Sequence, residues 1–246
     1  MSDGAMRIHR ALARAGIASR RKAEELVAAG RVRVNGGVAR TGQSVDPATD
    51  VITVDGQPLA RPQPVTWMVL HKPAGILTSR PDGTDRRTVF ELVPDVPGLT
   101  YVGRLDYLTE GVLLLTTDGD AAHRLTHPSS EIERTYVVTV RGDAATAVRA
   151  ARAGVELEDG VVRPVAVSAA RGADGQWELT LTIREGRNRE IRRLCEALGL
   201  EVRRLVRTQF GPVKLGTLPV GASRPLTPKE LTIIDSLGAP VHGRAG

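Results

Sequence analysis

A chain of 246 residues, 41% hydrophobic and 25% charged, has the composition of a globular protein with one large domain, or a small domain joined to a medium one. It is not that of a disordered, fibrous or membrane-bundle chain. The departure from the ordinary is charge: the net value is +6, the pI is near 10.1, and both point to a polyanionic partner. The single cysteine, Cys195, excludes an intrachain disulfide and a cysteine-rich zinc site. It suits a reducing cytosol, and no apolar run nears the roughly 20 residues that span a bilayer. The expectation is a soluble, cytoplasmic protein with no membrane partner.

The charge is not evenly spread. Over residues 1–40, nine Arg or Lys stand against Asp3, Glu24 and Glu25, which accounts for the whole excess; the remainder carries 25 basic and 25 acidic groups. Of the 34 basic residues, 30 are Arg, whose forked guanidinium suits phosphate and base edges, although genome composition produces the same bias.

In chain order, Ile8, Leu12 and Ala15 fall near helical spacing with Gly16 closing the helix, and Ser19 is a natural N-cap for a second helix ending at Gly30. Val32 and Val34 then alternate with Arg31 and Arg33, and Asn35-Gly36 predicts a tight hairpin. Arg7, Arg10, Arg14, Arg20, Arg21, Lys22, Arg31 and Arg33 decorate this unit, which looks too small for much core of its own. A merely solvated helical hairpin would carry both signs of charge on its outer face. Two prolines within residues 60–64 mark a boundary. The division expected is a head at 1–60, a linker at 61–65, a body at 66–237 and a tail at 238–246. In the body, residues 67–70 and 112–115 are apolar runs, residues 136–140 and Trp177–Ile183 alternate as half-buried strands, and helices are predicted over 120–125 and 189–198. Strands and helices do not alternate regularly. The fold class expected is therefore α+β: a small helical and hairpin head, and a body with a mixed, mainly antiparallel sheet.

No phosphate loop, dinucleotide fingerprint or serine nucleophile elbow occurs. His123 and His127 lie four apart, as zinc ligands can, but no paired His or Cys completes a set of three or four, so ordinary polar contacts are the better reading. Cys195 shares helical spacing with Ile191, Leu194 and Leu198 and reads as core before nucleophile. The most informative segment is 103–120, GRLDYLTEGVLLLTTDGD, where Asp106 sits in a glycine-flanked loop ahead of an apolar strand, with Arg104 beside it. Loops held by rigid strands often carry catalytic groups. On these residues alone, however, a turn-capping Asp106 outweighs a catalytic one. Asp106 with Glu110 would also suit the paired carboxylates of a glycoside hydrolase, but glycines and a following strand oppose a shared helix face, and aromatics make up only 3% of the chain.

The stretch RIHRALARAGIASRRKAEELVAAGRVRVNGGV resembles the small S4-like RNA-binding module of a ribosomal small-subunit protein, shared by many RNA-modifying enzymes. GRLD, followed by T-x-G and a leucine-rich strand ending in TxDG, resembles the signature of bacterial ribosomal RNA pseudouridine synthases of the RsuA/RluB type. His71-Lys72-Pro73-Ala74-Gly75 resembles that family's opening motif and EGRNREIRRL its late motif, in family order, so the likeness spans roughly residues 7–235.

The resemblance implies the pseudouridine synthase fold and an enzyme that isomerises uridine in RNA with neither metal nor organic cofactor. It implies that Asp106 is the essential carboxylate, acting as nucleophile or proton acceptor. Arg192 would pair with it and favour its ionised form. Tyr136 would stack on the target base, and Arg104 would help hold the nucleotide out of its stack. Arg187 and Arg189 are expected at phosphates, and Lys72 and Pro73 in a structural role. Arg7, Arg10, Arg20, Arg21, Lys22, Arg31 and Arg33 are the expected RNA-docking residues of the head. The late motif resembles the large-subunit members more than the small-subunit enzyme. The implied target is a uridine in a 23S ribosomal RNA stem-loop, free or in a precursor particle, modified by a monomer. The alternatives are a 16S enzyme and a non-catalytic ribosome-assembly protein, the latter opposed by the intact set of Asp106, Tyr136 and Arg192. So few aromatics suit shape and phosphate contacts with one flipped base better than a long stacking platform. Deleting residues 1–60 is expected to weaken RNA binding and flatten its salt dependence, because phosphate contacts release counterions. A binding titration across salt concentrations checks this; an unchanged slope would remove the head from the RNA interface.

Overall fold

The computed structural model describes residues 5–60, 64–81, 83–172 and 175–238, so most of the expected linker and nearly all of the expected tail lie outside the described residues. The chain divides into two compact units: one runs to Thr66 and adds Asp95–Thr100 and Thr116–Gly119, and the other holds the remainder.

The first unit comprises β1 (Met6–Arg7), α1 (Ile8–Arg14), α2 (Arg20–Ala28), β2 (Val32–Val34), β3 (Gly37–Val38), β4 (Ser44–Val45), β5 (Ile52–Val54) and β6 (Gln57–Pro58). Ser19 caps α2 as expected, its Oγ accepting from the Lys22 amide at 3.3 Å. Asn35 and Gly36 both take positive φ, which lets β2 turn directly into β3. The strands form a sheet in the order β3-β2-β5-β6, and β1 pairs with β4. One expectation is corrected. This unit has a core of its own, in which Ile8, Leu12, Ala23 and Val32 are fully buried and Val27, Val45 and Ile52 pack around them. The buried apolar residues come from α1, α2, β2, β4, β5 and the loop at Ala39, so no single stretch of sequence displays them together.

The second unit comprises β7 (Trp67–Lys72), β8 (Thr100–Val102), β9 (Glu110–Thr116), α3 (Gly119–Thr126), β10 (Arg134–Arg141), α4 (Ala144–Ala153), β11 (Val155–Leu157), β12 (Gly160–Val162), β13 (Ala166–Arg171), β14 (Trp177–Ile183), α5 (Glu190–Ala197), β15 (Glu201–Phe210), β16 (Val213–Lys214), β17 (Ser223–Pro225) and α6 (Pro228–Gly238). Its main sheet runs β13-β14-β10-β15-β9-β7-β17, with β16 on β15 and β8 on β9. The β13–β14, β14–β10, β10–β15, β15–β16 and β7–β17 pairs are antiparallel and β15–β9 is parallel, so the α+β class with a mixed, mainly antiparallel sheet holds. Strand β9 is buried along nearly its whole length, which is why it reads as a continuous apolar run, whereas β10 alternates. Trp67, Val69, Val112, Leu114, Leu125, Phe210 and Ile234 belong to one cluster against α3 and α6. Two helices, α4 and α6, were not foreseen. The buried face of α4 is mostly alanine, and its N-terminus rests on Asp143, whose carboxylate accepts from the Thr146 amide at 3.1 Å.

The parallel step depends on Gly111. Its φ is +107°, it faces Arg207 in the β9–β15 register, and a Cβ there would overlap the Arg207 carbonyl oxygen. Replacement by Ala is therefore expected to cost at least about 3 kcal/mol, measured by denaturant unfolding. A loss below about 0.5 kcal/mol would show that the two strands can separate at this point without penalty.

Candidate active site

The loop ahead of β9 is held from beneath by Lys72. This residue ends β7 with 0% exposure, and its Nζ donates to the carbonyls of Pro73 at 3.0 Å, Asp106 at 3.2 Å, Tyr107 at 3.3 Å and Thr109 at 2.9 Å. An ammonium has three protons, so these four acceptors share them. Thr78 Oγ1 donates to the Leu105 carbonyl at 3.0 Å, Arg192 Nη2 to Leu108 at 3.0 Å, and the Gly75 amide to Tyr107 at 2.9 Å. Every carbonyl from 105 to 109 thus has a donor. Burial pulls the Lys72 ammonium down to about 8, while the charges of Asp106 and Glu110 hold it up.

The backbone of the loop is fixed, but the Asp106 side chain has no hydrogen-bond or ion-pair partner among the described residues. It lines a cavity of about 970 Å³, into which Arg104, Tyr136, Arg187, Arg189 and Arg192 also converge. The cavity is large enough for an extruded nucleotide. Tyr136 is 8% exposed and lies in register between Leu181 of β14 and Arg207 of β15. Arg104 and Arg189 are exposed; Arg189 adopts a left-handed conformation as the N-cap of α5.

Two expectations change here. Arg192 forms no ion pair with Asp106: it is turned toward the Leu108 carbonyl, and its Nε is buried without a partner. Burial and Arg189 pull its pKa down, whereas the charge of Asp106 holds it up. Arg187, expected at phosphate, is engaged within the protein. Its Nε donates to Glu185 at 2.5 Å and its Nη1 to the carbonyls of Asp159 and Gly160 at 3.1 and 3.0 Å. Arg193 grips the Asp159 carboxylate with two bonds of 2.9 and 2.8 Å, so the β11–β12 turn is pinned to α5 and, through Arg187, to the loop before it.

The structure also brings in residues that sequence reasoning passed over. Arg134 is 7% exposed and donates from Nη1 to the carbonyls of Arg184 and Glu185 at 2.6 and 3.1 Å. Arg207 is 3% exposed and donates from Nε to Val112 at 2.8 Å. Arg134 was detectable, since it shares the alternating face of β10 with Tyr136; Arg207 carried no such signal. The rival readings weaken. Glu110, the second carboxylate of a glycoside hydrolase, is held by Arg204 with bonds of 2.9 and 2.8 Å, which keep it ionised and occupied. Burial pushes the Cys195 thiol up to about 12, as for a core residue. Among the described residues no three His, Cys, Asp or Glu side chains are grouped to hold a metal, and His127 Nδ1 pairs with Ser129 Oγ at 2.7 Å.

A family model described as RNA pseudouridylate synthase matches residues 66–197, and one described as S4 domain matches residues 6–52. The chain belongs to the RNA pseudouridylate synthase family and carries an S4 domain ahead of the catalytic part. It is 39% identical to the ribosomal large subunit pseudouridine synthase B of Bacillus subtilis over 243 residues, 97% of this chain and 98% of the relative. It is 42% identical to the protein of the same name from Vibrio cholerae over 239 residues, 94% of this chain and 74% of the relative. Among solved structures, a crystal structure of a pseudouridylate synthase superimposes with a TM-score of 0.61 at 28% identity, covering 93% of this chain and 99% of that one.

Lys72→Met is expected to leave buried carbonyls without donors, at about 1–3 kcal/mol each, and to lower both the unfolding free energy and the turnover of uridine. Denaturation and single-turnover assays check it. Wild-type turnover in this variant would show that the loop does not need the ammonium.

Proposed function

We propose that this protein isomerises a uridine of large-subunit (23S) ribosomal RNA to pseudouridine, with Asp106 as the catalytic carboxylate. The observation that carries the reading is the Asp106 side chain itself, unpartnered at a cavity while all five carbonyls of its loop are tied down. A carboxylate so placed is oriented without being neutralised. Such preorganisation favours a group that must meet a reacting atom.

In the reaction the bond between ribose C1′ and uracil N1 breaks, the ring turns, and C5 bonds to C1′ in its place. Asp106 either removes the C2′ proton or attacks C1′, and the proton balance closes within the substrate, so the isomerisation is redox-neutral. Tyr136 stacks on the extruded base and Arg104 occupies the rim from which it leaves the helix. Arg192 supplies positive potential near the carboxylate, and Arg189 meets a phosphate at the cavity edge. Arg187 braces the loop that presents Arg189. The head, about residues 1–60, docks on RNA through Arg7, Arg10, Arg20, Arg21, Lys22, Arg31 and Arg33. Several of these also serve its own fold: Arg31 pairs with Asp55 at 2.8 Å, Lys22 with Glu25 at 2.7 Å, Arg33 donates to the Gly36 carbonyl at 3.0 Å and Arg7 to the Gly42 carbonyl. Large-subunit specificity is supported by the late motif EGRNREIRRL and by the names of the relatives.

The test is tritium release from 23S and 16S transcripts labelled at uridine C5. Release is expected from 23S RNA alone, and Asp106→Asn is expected to abolish it while leaving RNA affinity within about twofold. Full activity in that variant would overturn the catalytic assignment, and release from 16S RNA alone would move the substrate to the small subunit.

A further inference from the structure

Two guanidinium groups lie at the floor of the cavity, where water screens charge poorly. Arg134 and Arg207 flank the ring of Phe210, each with its Cζ 5.2 Å from the ring centroid. In the β10–β15 register Arg207 stands directly opposite Tyr136, and Arg134 opposite Phe210. Directly opposed residues share a sheet face with Cβ atoms about 4.5–5.5 Å apart, so Arg207 sits beside the ring proposed to stack on the base. Its Nη2 is buried without a hydrogen-bond partner among the described residues. The nearby carboxylate, Glu190, is 4% exposed, accepts from the Arg187 amide at 3.1 Å, and is pushed toward its neutral form by burial. Two like charges are thus buried together with little to offset them, and burial first, then Arg207, lowers the pKa of Arg134. Such an arrangement is costly in the free protein unless an anion arrives to use it.

We propose that Arg207, backed by Arg134, holds the negative charge that uracil carries while it is detached from its ribose. The inference rests on the reading of Asp106 and Tyr136 as the site of isomerisation. Whichever role Asp106 takes, the C1′–N1 bond breaks with its electron pair leaving on the ring. Uracil is then an anion, its charge shared by N1 and the two carbonyl oxygens. The ring turns and C5 bonds to C1′, as the Asp106–C1′ bond breaks if Asp106 attacked C1′ or as Asp106 returns the proton to C2′ if it removed it; the C5 proton then departs and N1 gains a proton. A cation beside the stacked ring meets little charge in bound uridine and a full charge in the intermediate, so its contribution falls on the rate and not on binding.

The test uses 23S ribosomal RNA transcribed with uridine tritiated at C5, and compares Arg207→Gln, Arg207→Lys and Asp106→Asn with wild type. Single-turnover rates at saturating RNA, affinity over a salt series and thermal melting are read together. Arg207→Gln is expected to slow the saturating rate by about 10²–10³-fold with affinity and salt slope unchanged. Arg207→Lys, which keeps the cation, is expected to recover at least tenfold of that loss. A folded Arg207→Gln with wild-type rate overturns the proposal, and so does weakened affinity with a shallower salt slope, which places a phosphate at this position. If Arg207→Gln does not fold, a hundredfold loss in folded Arg207→Lys overturns it. Activity in Asp106→Asn removes the underlying site, whatever the Arg207 variants do.

Discussion

The buried ammonium of Lys72 is the constraint on which the site depends. Burying a cation is unfavourable, and burying backbone carbonyls without donors is unfavourable too. Placing one against the other resolves both, provided that the chain curls so that the carbonyls of Asp106, Tyr107 and Thr109 converge on the ammonium. That curl leaves the Asp106 side chain at the cavity without a hydrogen-bond or ion-pair partner among the described residues. A carboxylate on an ordinary surface loop would find a backbone amide or a lysine to satisfy it; here the local donors are already directed to the backbone. Gly111, two residues past Thr109, then lets β9 approach β15 closely enough to bring the Asp106 loop beside the strand that carries Arg207, the partner of Tyr136.

The arginines divide by what surrounds them, not by charge. Exposed ones such as Arg104 and Arg189 can meet a polyanion at the rim. Arg187, Arg193 and Arg204 are committed to carboxylates and carbonyls of the protein, and they hold the β11–β12 turn, the loop before α5 and the entry to β9 in place. Arg134 and Arg207 are buried and stacked on one aromatic ring. One residue type therefore supplies encounter, scaffold and a low-dielectric source of positive potential. The net charge of +6 speaks only for the first of these, and it resides in the head.

Much of this was legible in the sequence, and the parts that were not share a cause. Helices α1 and α2 announce themselves by Ser19, Gly16 and Gly30, and the hairpin by Asn35-Gly36, because caps and turns are local. Strands β10 and β14 show by alternation and β9 by its apolar run. Asp106, Arg104, Tyr136, Arg189 and Arg192 were brought to one cavity by a family resemblance, since residues 104 and 192 are joined only by the sheet order. The engagement of Arg187 with Gly160 and of Arg192 with Leu108 was hidden because a backbone acceptor has no letter in the sequence. Arg207 was hidden for the opposite reason: in a strand reading EVRRLVRTQF its charge suggests exposure, whereas the strand lies inside the sheet between β10 and β9 and Arg207 is buried there. Helix α4 escaped because alanine gives little periodic contrast.

On the proposed function, a carboxylate held in this way isomerises a uridine in large-subunit ribosomal RNA. The most direct test is chemical mapping of pseudouridines across all ribosomal RNA from cells that lack this protein, and from the same cells supplied with the intact chain or with Asp106→Asn. The account expects one large-subunit position to revert to uridine in its absence, to return with the intact chain, and to stay uridine with the variant. An unchanged map, or a position restored by the variant, would contradict it.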